Sequence, residues 1–227
     1  MKYILSIFII LSLLLANHSA INSWIATEPQ SKCQSIQDEN ITSIIKKQTN
    51  ISSPVSIRLC NTNAYFGQMT GLPNKPIMYI STTAQEKLNP LGTEWLVLHE
   101  AAHHQLWHIY KWGVVQLLCI VGGAFVLVKL YRYRAKYAIL ALPLLIVAVG
   151  YTSTQFERLQ EIQANQFAIE HISDVQGVIT GAQVSMEYYN SEETSGFEAF
   201  IRKNFYVWDK PAKIYQIEQA QVYMNKN

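Results

Sequence analysis

Charge is scarce in this chain. Only 15% of its 227 residues are charged, against 49% apolar, where soluble domains carry about a quarter charged. The formal net charge of +2 argues neither for nor against nucleic acid, but no basic stripe is interleaved with aromatics, and no nucleic-acid partner is expected. Cysteine is rare too, at three residues. Neither Cys33 nor Cys60 has metal-ligand spacing with a histidine, which excludes a cysteine-based metal site. No internal repeat or low-complexity segment is present. The length leaves room for one compact domain plus membrane segments and excludes two large domains.

The apolar excess is concentrated. Tyr3–Ala16 forms one run behind Lys2 and ahead of the small pair Ser19-Ala20. Residues 1–20 therefore read as a signal peptide or an uncleaved membrane anchor. Two further runs, Gly113–Val128 and Ala138–Gly150, are each shorter than the roughly 20 residues of a spanning helix. Tyr110, Trp112, Tyr131, Tyr133, Tyr137 and Tyr151 flank them, as interfacial aromatics do. Residues 113–151 are thus expected to form a transmembrane helical hairpin, kinked at Pro143; the alternative is a hairpin buried in a soluble core.

Its tip, loop 129–137, carries Lys129, Arg132, Arg134 and Lys136 and no acid. Such a loop stays cytoplasmic. Residues 21–112 and 152–227, the two parts of the remaining domain, then lie outside. The expected location is the cell (inner) membrane, multi-pass, with the lipid bilayer as a partner. Cys33 and Cys60 would both be exported, and there they either pair as a disulfide or stay as two thiols. Cys119 falls within the membrane.

Along the chain, Ser31–Gln48 reads as an amphipathic helix and Val55–Cys60 as a strand. Asn61–Pro76 reads as a loop and Ile77–Ile80 as a second strand. Asn89–Gly92 reads as a turn before a helix from Glu94, capped at Thr93 or its neighbour and running unbroken through Trp112. Thr154–His171 reads as another helix. Ser173–Asn227 is expected to be mostly helical, with breaks near Asn190–Gly196 and Asp209–Pro211. The fold class is mainly α with a small β-sheet (α+β).

The chemistry sits in His99-Glu100-Ala101-Ala102-His103. Positions four apart share a helix face, so His99 and His103 can hold one zinc ion. Glu100 stands beside them as a general base toward water. Catalytic zinc needs a third protein ligand, commonly a carboxylate from a second helix. The best source is Glu157–Ala168, where Glu157 and Glu161 both qualify. An antiparallel hairpin would return that helix to the histidines.

An H-E-x-x-H, two hydrophobic segments and Glu161-Ile-Gln-Ala164-Asn165-Gln-Phe-Ala168 together resemble the gluzincin zinc metallopeptidases: HtpX, the CAAX prenyl proteases and the mitochondrial Oma-type proteases. Asn63-Ala64-Tyr65 with Ile77–Ile80 resembles the family's N-A-F segment and active-site edge strand. Asp209-Lys-Pro211-Ala-Lys213-Ile214 is a degenerate likeness of its H-P-x-x-x-R-I turn. The resemblance implies a zincin-like domain interrupted by the hairpin, with His99, His103 and Glu161 as zinc ligands and Glu100 as base. It also implies polypeptide substrates, in envelope protein quality control or processing.

Two features depart from that pattern. Asn165 stands where the family has Asp, so an amide would hydrogen-bond a ligand imidazole without a carboxylate's charge. HtpX-like members have two spanning segments before the site and this chain has one, which inverts the hairpin. His171, ten residues past Glu161, is a candidate oxyanion stabiliser. His104 and His108 would point about 140° away from the zinc pair on one continuous helix. An intramembrane protease would draw an Asp ligand from a later membrane segment, and the chain has no Asp between Asp38 and Asp174. The remaining alternative is an inactive or weakly active relative serving as a binding or adaptor module.

Overall fold

A computed structural model describes residues 1–16, 33–62, 65, 67–191 and 213–226. The Ser19-Ala20 site, Asn63-Ala64, the segment 192–196 and Asp209–Pro211 lie outside the described residues.

Four strands form one mixed sheet in the order β1-β2-β4-β3. β1 (Cys33–Ile36) runs antiparallel to β2 (Ser56–Cys60), with Cys33 opposite Cys60, and a disulfide joins that pair. Closing the 27-residue separation is worth roughly 3.5 kcal/mol through the unfolded chain's lost entropy. The helix expected from Ser31 starts only at Glu39. Cys33–Ile36 is taken up by the sheet, and Asp38 caps α2 (Glu39–Gln48) by accepting the Ile41 N–H at 3.0 Å. α2 buries Ile41, Ile44 and Ile45, the residues at helical spacing that marked it in the sequence.

β2 pairs in parallel with β4 (Lys75–Ser81). The expected loop at 61–76 contains a strand, β3 (Gly67–Leu72), antiparallel to β4. Gly67-Gln-Met-Thr-Gly-Leu72 lacks the β-branched alternation that announces a strand. It pairs because Gly71 adopts φ +94 and lets the chain reverse over Pro73-Asn74. β4 is therefore interior, and β3 is one edge of the sheet, with β1 the other.

After a short α3 (Thr82–Lys87), α4 spans Pro90–Gln105. Asn89 caps it by accepting the Gly92 N–H at 2.8 Å, with Pro90 in the first turn. The expected turn at Asn89–Gly92 is thus the helix's opening turn. α4 does not continue to Trp112. It stops at Gln105, and Trp107 takes a left-handed conformation (φ 60) before α5 (His108–Tyr133) begins. No glycine or proline marks this break.

α5 and α6 (Ala135–His171) form an antiparallel hairpin with Arg134 alone between them. The basic tip is thus the ends of two helices and one reversing residue, not an extended loop. α6 runs through Pro143 and on into the Glu161 segment without interruption. Both helices are long and apolar enough to cross a membrane, and Leu117, Leu118, Val121, Phe125, Leu140 and Leu144 stand exposed on them. An apolar belt of this extent calls for lipid or protein cover. α1 (Lys2–Ala16) packs along the hairpin. Its Phe8 is fully buried against Gly123, where a Cβ would come within 2.4 Å of the ring.

α7 (Gln176–Ser191) and α8 (Lys213–Met224) pack with α4 and the second half of α6. At Gly181 of α7 a Cβ would fall 2.1 Å from the Trp95 ring, so this glycine sets how closely the two helices approach. The main core gathers Met78, Trp95, Leu98, Ala101, Ala168, Ile169, Val178 and Ile217. The architecture is mostly helical with a small mixed sheet.

Candidate active site

α4 and α6 bring His99, His103 and Glu161 together. The His99 Nε2 and His103 Nε2 atoms are 3.4 Å apart. Glu161 reaches across from α6, with Oε2 3.3 Å from His99 Nε2 and Oε1 3.5 Å from His103 Nε2. All three ligand atoms lie within 4.8 Å of one another. Metal–donor bonds of 2.0–2.2 Å in a tetrahedral site set donor–donor edges of about 3.3–3.6 Å. The observed triangle fits such an ion, and two imidazoles with one carboxylate are a borderline metal's donor set. Of the two candidate acids, Glu161 is the one in this cluster; Glu157 stands one turn earlier on α6. Glu100 is half-buried on α4, next to His99.

The elements around this triangle are tied by polar contacts at their ends. Glu94, buried at the start of α4, accepts from Gln48 Nε2 at 2.6 Å, Ser173 N at 3.0 Å and Ser173 Oγ at 2.5 Å. It thereby fastens α2 and the α6–α7 turn to the first turn of the histidine helix. β3 lies along the same helix. Gly67 at its start abuts Leu96, and His104 hydrogen-bonds the Pro73 backbone at its far end. Burial lowers the His104 pKa below the ordinary histidine value, with the Pro73 bond opposing. The sheet edge thus runs past the helix segment that bears His99 and His103.

Asn165 differs from expectation in its contacts. It is fully buried one turn past Glu161, yet its amide does not bond a ligand imidazole. Its Oδ1 accepts from Trp95 Nε1 at 3.2 Å and its Nδ2 donates to Gln219 Oε1 at 2.7 Å. Trp95 sits between, its ring centroid 5.8 Å from that of His99. Asn165 therefore positions the indole that backs the candidate ligand face, while the His99 Nδ1 is buried without a hydrogen-bond partner among the described residues. His171 is exposed at the end of α6, its Nδ1 2.8 Å from the Phe167 carbonyl and its ring stacked on Phe167. Ten residues of helix put it about 15 Å along the axis from Glu161. The structure does not bring it to the triangle.

His108 is the residue that the sequence misplaced. It is 2% exposed, and its Nδ1 lies 3.0 Å from His103 Nδ1. A continuous helix would have turned it away. The left-handed Trp107, the one non-glycine positive-φ residue described, folds it back at a cost of roughly 1–2 kcal/mol.

Comparison with known proteins agrees with this architecture. The crystal structure of Ste24p from S. mikatae superposes with a TM-score of 0.62 at 15% identity, over 96% of this chain and 58% of that one. That likeness is one of fold. An uncharacterized metalloprotease of Bacillus subtilis (strain 168), YhfN, is 29% identical over an alignment of 163 residues that covers 63% of this chain and 36% of YhfN. The chain thus spans little more than a third of that relative. The profile of peptidase family M48 matches residues 29–200, a stretch that takes in the whole triangle, both hairpin helices and the sheet. On that match the chain belongs to peptidase family M48.

Proposed function

We propose that the chain is a membrane-anchored zinc metalloendopeptidase with its site on the extracytoplasmic side. The observation that carries this reading is the His99–His103–Glu161 triangle, built from helices on either side of the hairpin. Zinc, when bound, supplies Lewis-acid polarisation of a peptide carbonyl and acidifies water at neutral pH. Glu100 takes the attacking water's proton and delivers it to the leaving nitrogen. Substrate lies extended along the edge of β3, pairing main chain with main chain. The sequence had pointed to Ile77–Ile80 for this role, but β4 already has a neighbour on both sides. Recognition by backbone suits misfolded or exported polypeptides more than one side-chain motif. The expected result is casein hydrolysis by the full chain in detergent, lost to a zinc chelator and restored by added zinc; hydrolysis indifferent to the chelator contradicts the reading.

Two features support the side of the membrane. The Cys33–Cys60 disulfide persists in an oxidising compartment, and Lys129, Arg132, Arg134 and Lys136 gather at the far end of the hairpin. Tyr133 and Glu86 are both exposed, and cysteines placed there report the two faces. On intact cells a membrane-impermeant maleimide is expected to label Glu86→Cys and spare Tyr133→Cys. The reverse pattern places the site in the cytoplasm.

A further inference from the structure

We propose that His108 and Gln163 form an orienting relay that fixes the tautomer and ring plane of His103 for metal binding. The inference rests on the reading of His103 as a ligand through Nε2.

The relay follows from three contacts. His103 turns its Nε2 to His99 and Glu161, so a metal there takes the Nε2 lone pair. In a neutral imidazole the proton then sits on Nδ1. The group facing Nδ1 at 3.0 Å is His108 Nδ1, which must therefore accept. His108 then carries its own proton on Nε2, and 3.2 Å from that nitrogen stands Gln163 Oε1, an acceptor. Every proton along the line has one donor and one acceptor. The opposite amide orientation would reverse both rings and put a proton on His103 Nε2.

The scaffold holds the relay in place. Gln160, buried one turn before Gln163's helix face, donates Nε2 to the His108 carbonyl at 2.7 Å. The left-handed Trp107 brings the His108 ring to 4.9 Å from His103, edge to face. A ligand imidazole whose second nitrogen donates to a fixed partner is both oriented and more basic. His99, by contrast, has its Nδ1 buried without such a partner among the described residues. The two histidines of the motif are thus supported unequally, and His103 is the one held by hydrogen bonds.

The test is the zinc dissociation constant of the full chain in detergent, measured by competition with a chromophoric chelator, alongside the visible spectrum of the cobalt-loaded protein. His108→Leu removes the acceptor, and a loss of about 10- to 100-fold in affinity is expected. His108→Asn puts an amide oxygen near the position of Nδ1, and recovery of most of the affinity is expected. Gln163 is exposed, so Gln163→Met is mild on folding; it is expected to weaken zinc and shift the cobalt bands, while Gln163→Glu keeps or tightens binding. Equal affinity in wild type, His108→Leu and Gln163→Met overturns the relay. So does equal loss in His108→Leu and His108→Asn, which would mark His108 as packing alone. A wild-type chain that binds no zinc fails the ligand reading beneath the relay, which is a separate outcome.

Discussion

Glu100→Gln is expected to keep the zinc of the proposed site and to lose peptide hydrolysis. The amide is nearly the carboxylate's size and leaves α4 unchanged, since Gln and Glu have similar helix propensity. His99, His103 and Glu161 keep their positions, so metal content is expected to match wild type. What disappears is the group proposed to accept a proton from water and return one to the leaving nitrogen. General acid–base catalysis of this kind is worth about 100- to 10,000-fold, and loss of kcat in that range is expected with little change in KM. Wild-type casein hydrolysis by the folded, zinc-loaded variant excludes Glu100 as the base.

Glu161→Gln is expected to lose both metal and activity. Glu161 is the triangle's one anion and the only ligand contributed by α6. An amide at that position cannot neutralise a dication, and two neutral imidazoles on one helix make an incomplete site. The drop in zinc affinity is expected to exceed the roughly 100-fold that an outer-shell partner costs. Glu157→Gln, one turn away, is expected to bind zinc as wild type does. The opposite pair of results, normal zinc in Glu161→Gln and none in Glu157→Gln, moves the ligand to Glu157.

The two variants separate the site's two parts. A chain with metal and no base is a binding module; one with neither is a scaffold. The adaptor alternative predicts that Glu100→Gln changes nothing measurable in a peptidase assay, because the wild type has no activity to lose.

How much of this was legible in the sequence depends on the range of the physics involved. His99 and His103 share a face by helical periodicity alone, and the buried isoleucines of α2 recur at the same spacing. The hairpin was legible because two successive apolar runs with basic and aromatic flanks have few other uses. The return of Glu161 to the histidines followed from the hairpin's antiparallel course. Three things were not legible. β3 is a strand by virtue of its partner β4 and the turn at Gly71, and its own residues carry no strand pattern. The break at Trp107 has no glycine or proline to announce it, so His108 was placed on the wrong face. Asn165 was expected at a ligand imidazole because it stands where the family it resembles has an Asp, but the Trp95 indole takes the hydrogen bond. In each case a tertiary neighbour decided the outcome.

The proposed chemistry turns on the metal. Its most direct test is the element content of the wild-type full-length chain, purified in detergent, offered zinc and then dialysed against metal-free buffer. The account predicts a single zinc ion per chain, absent from Glu161→Gln prepared in the same way. A folded chain with its Cys33–Cys60 bridge intact that takes up no zinc would contradict it.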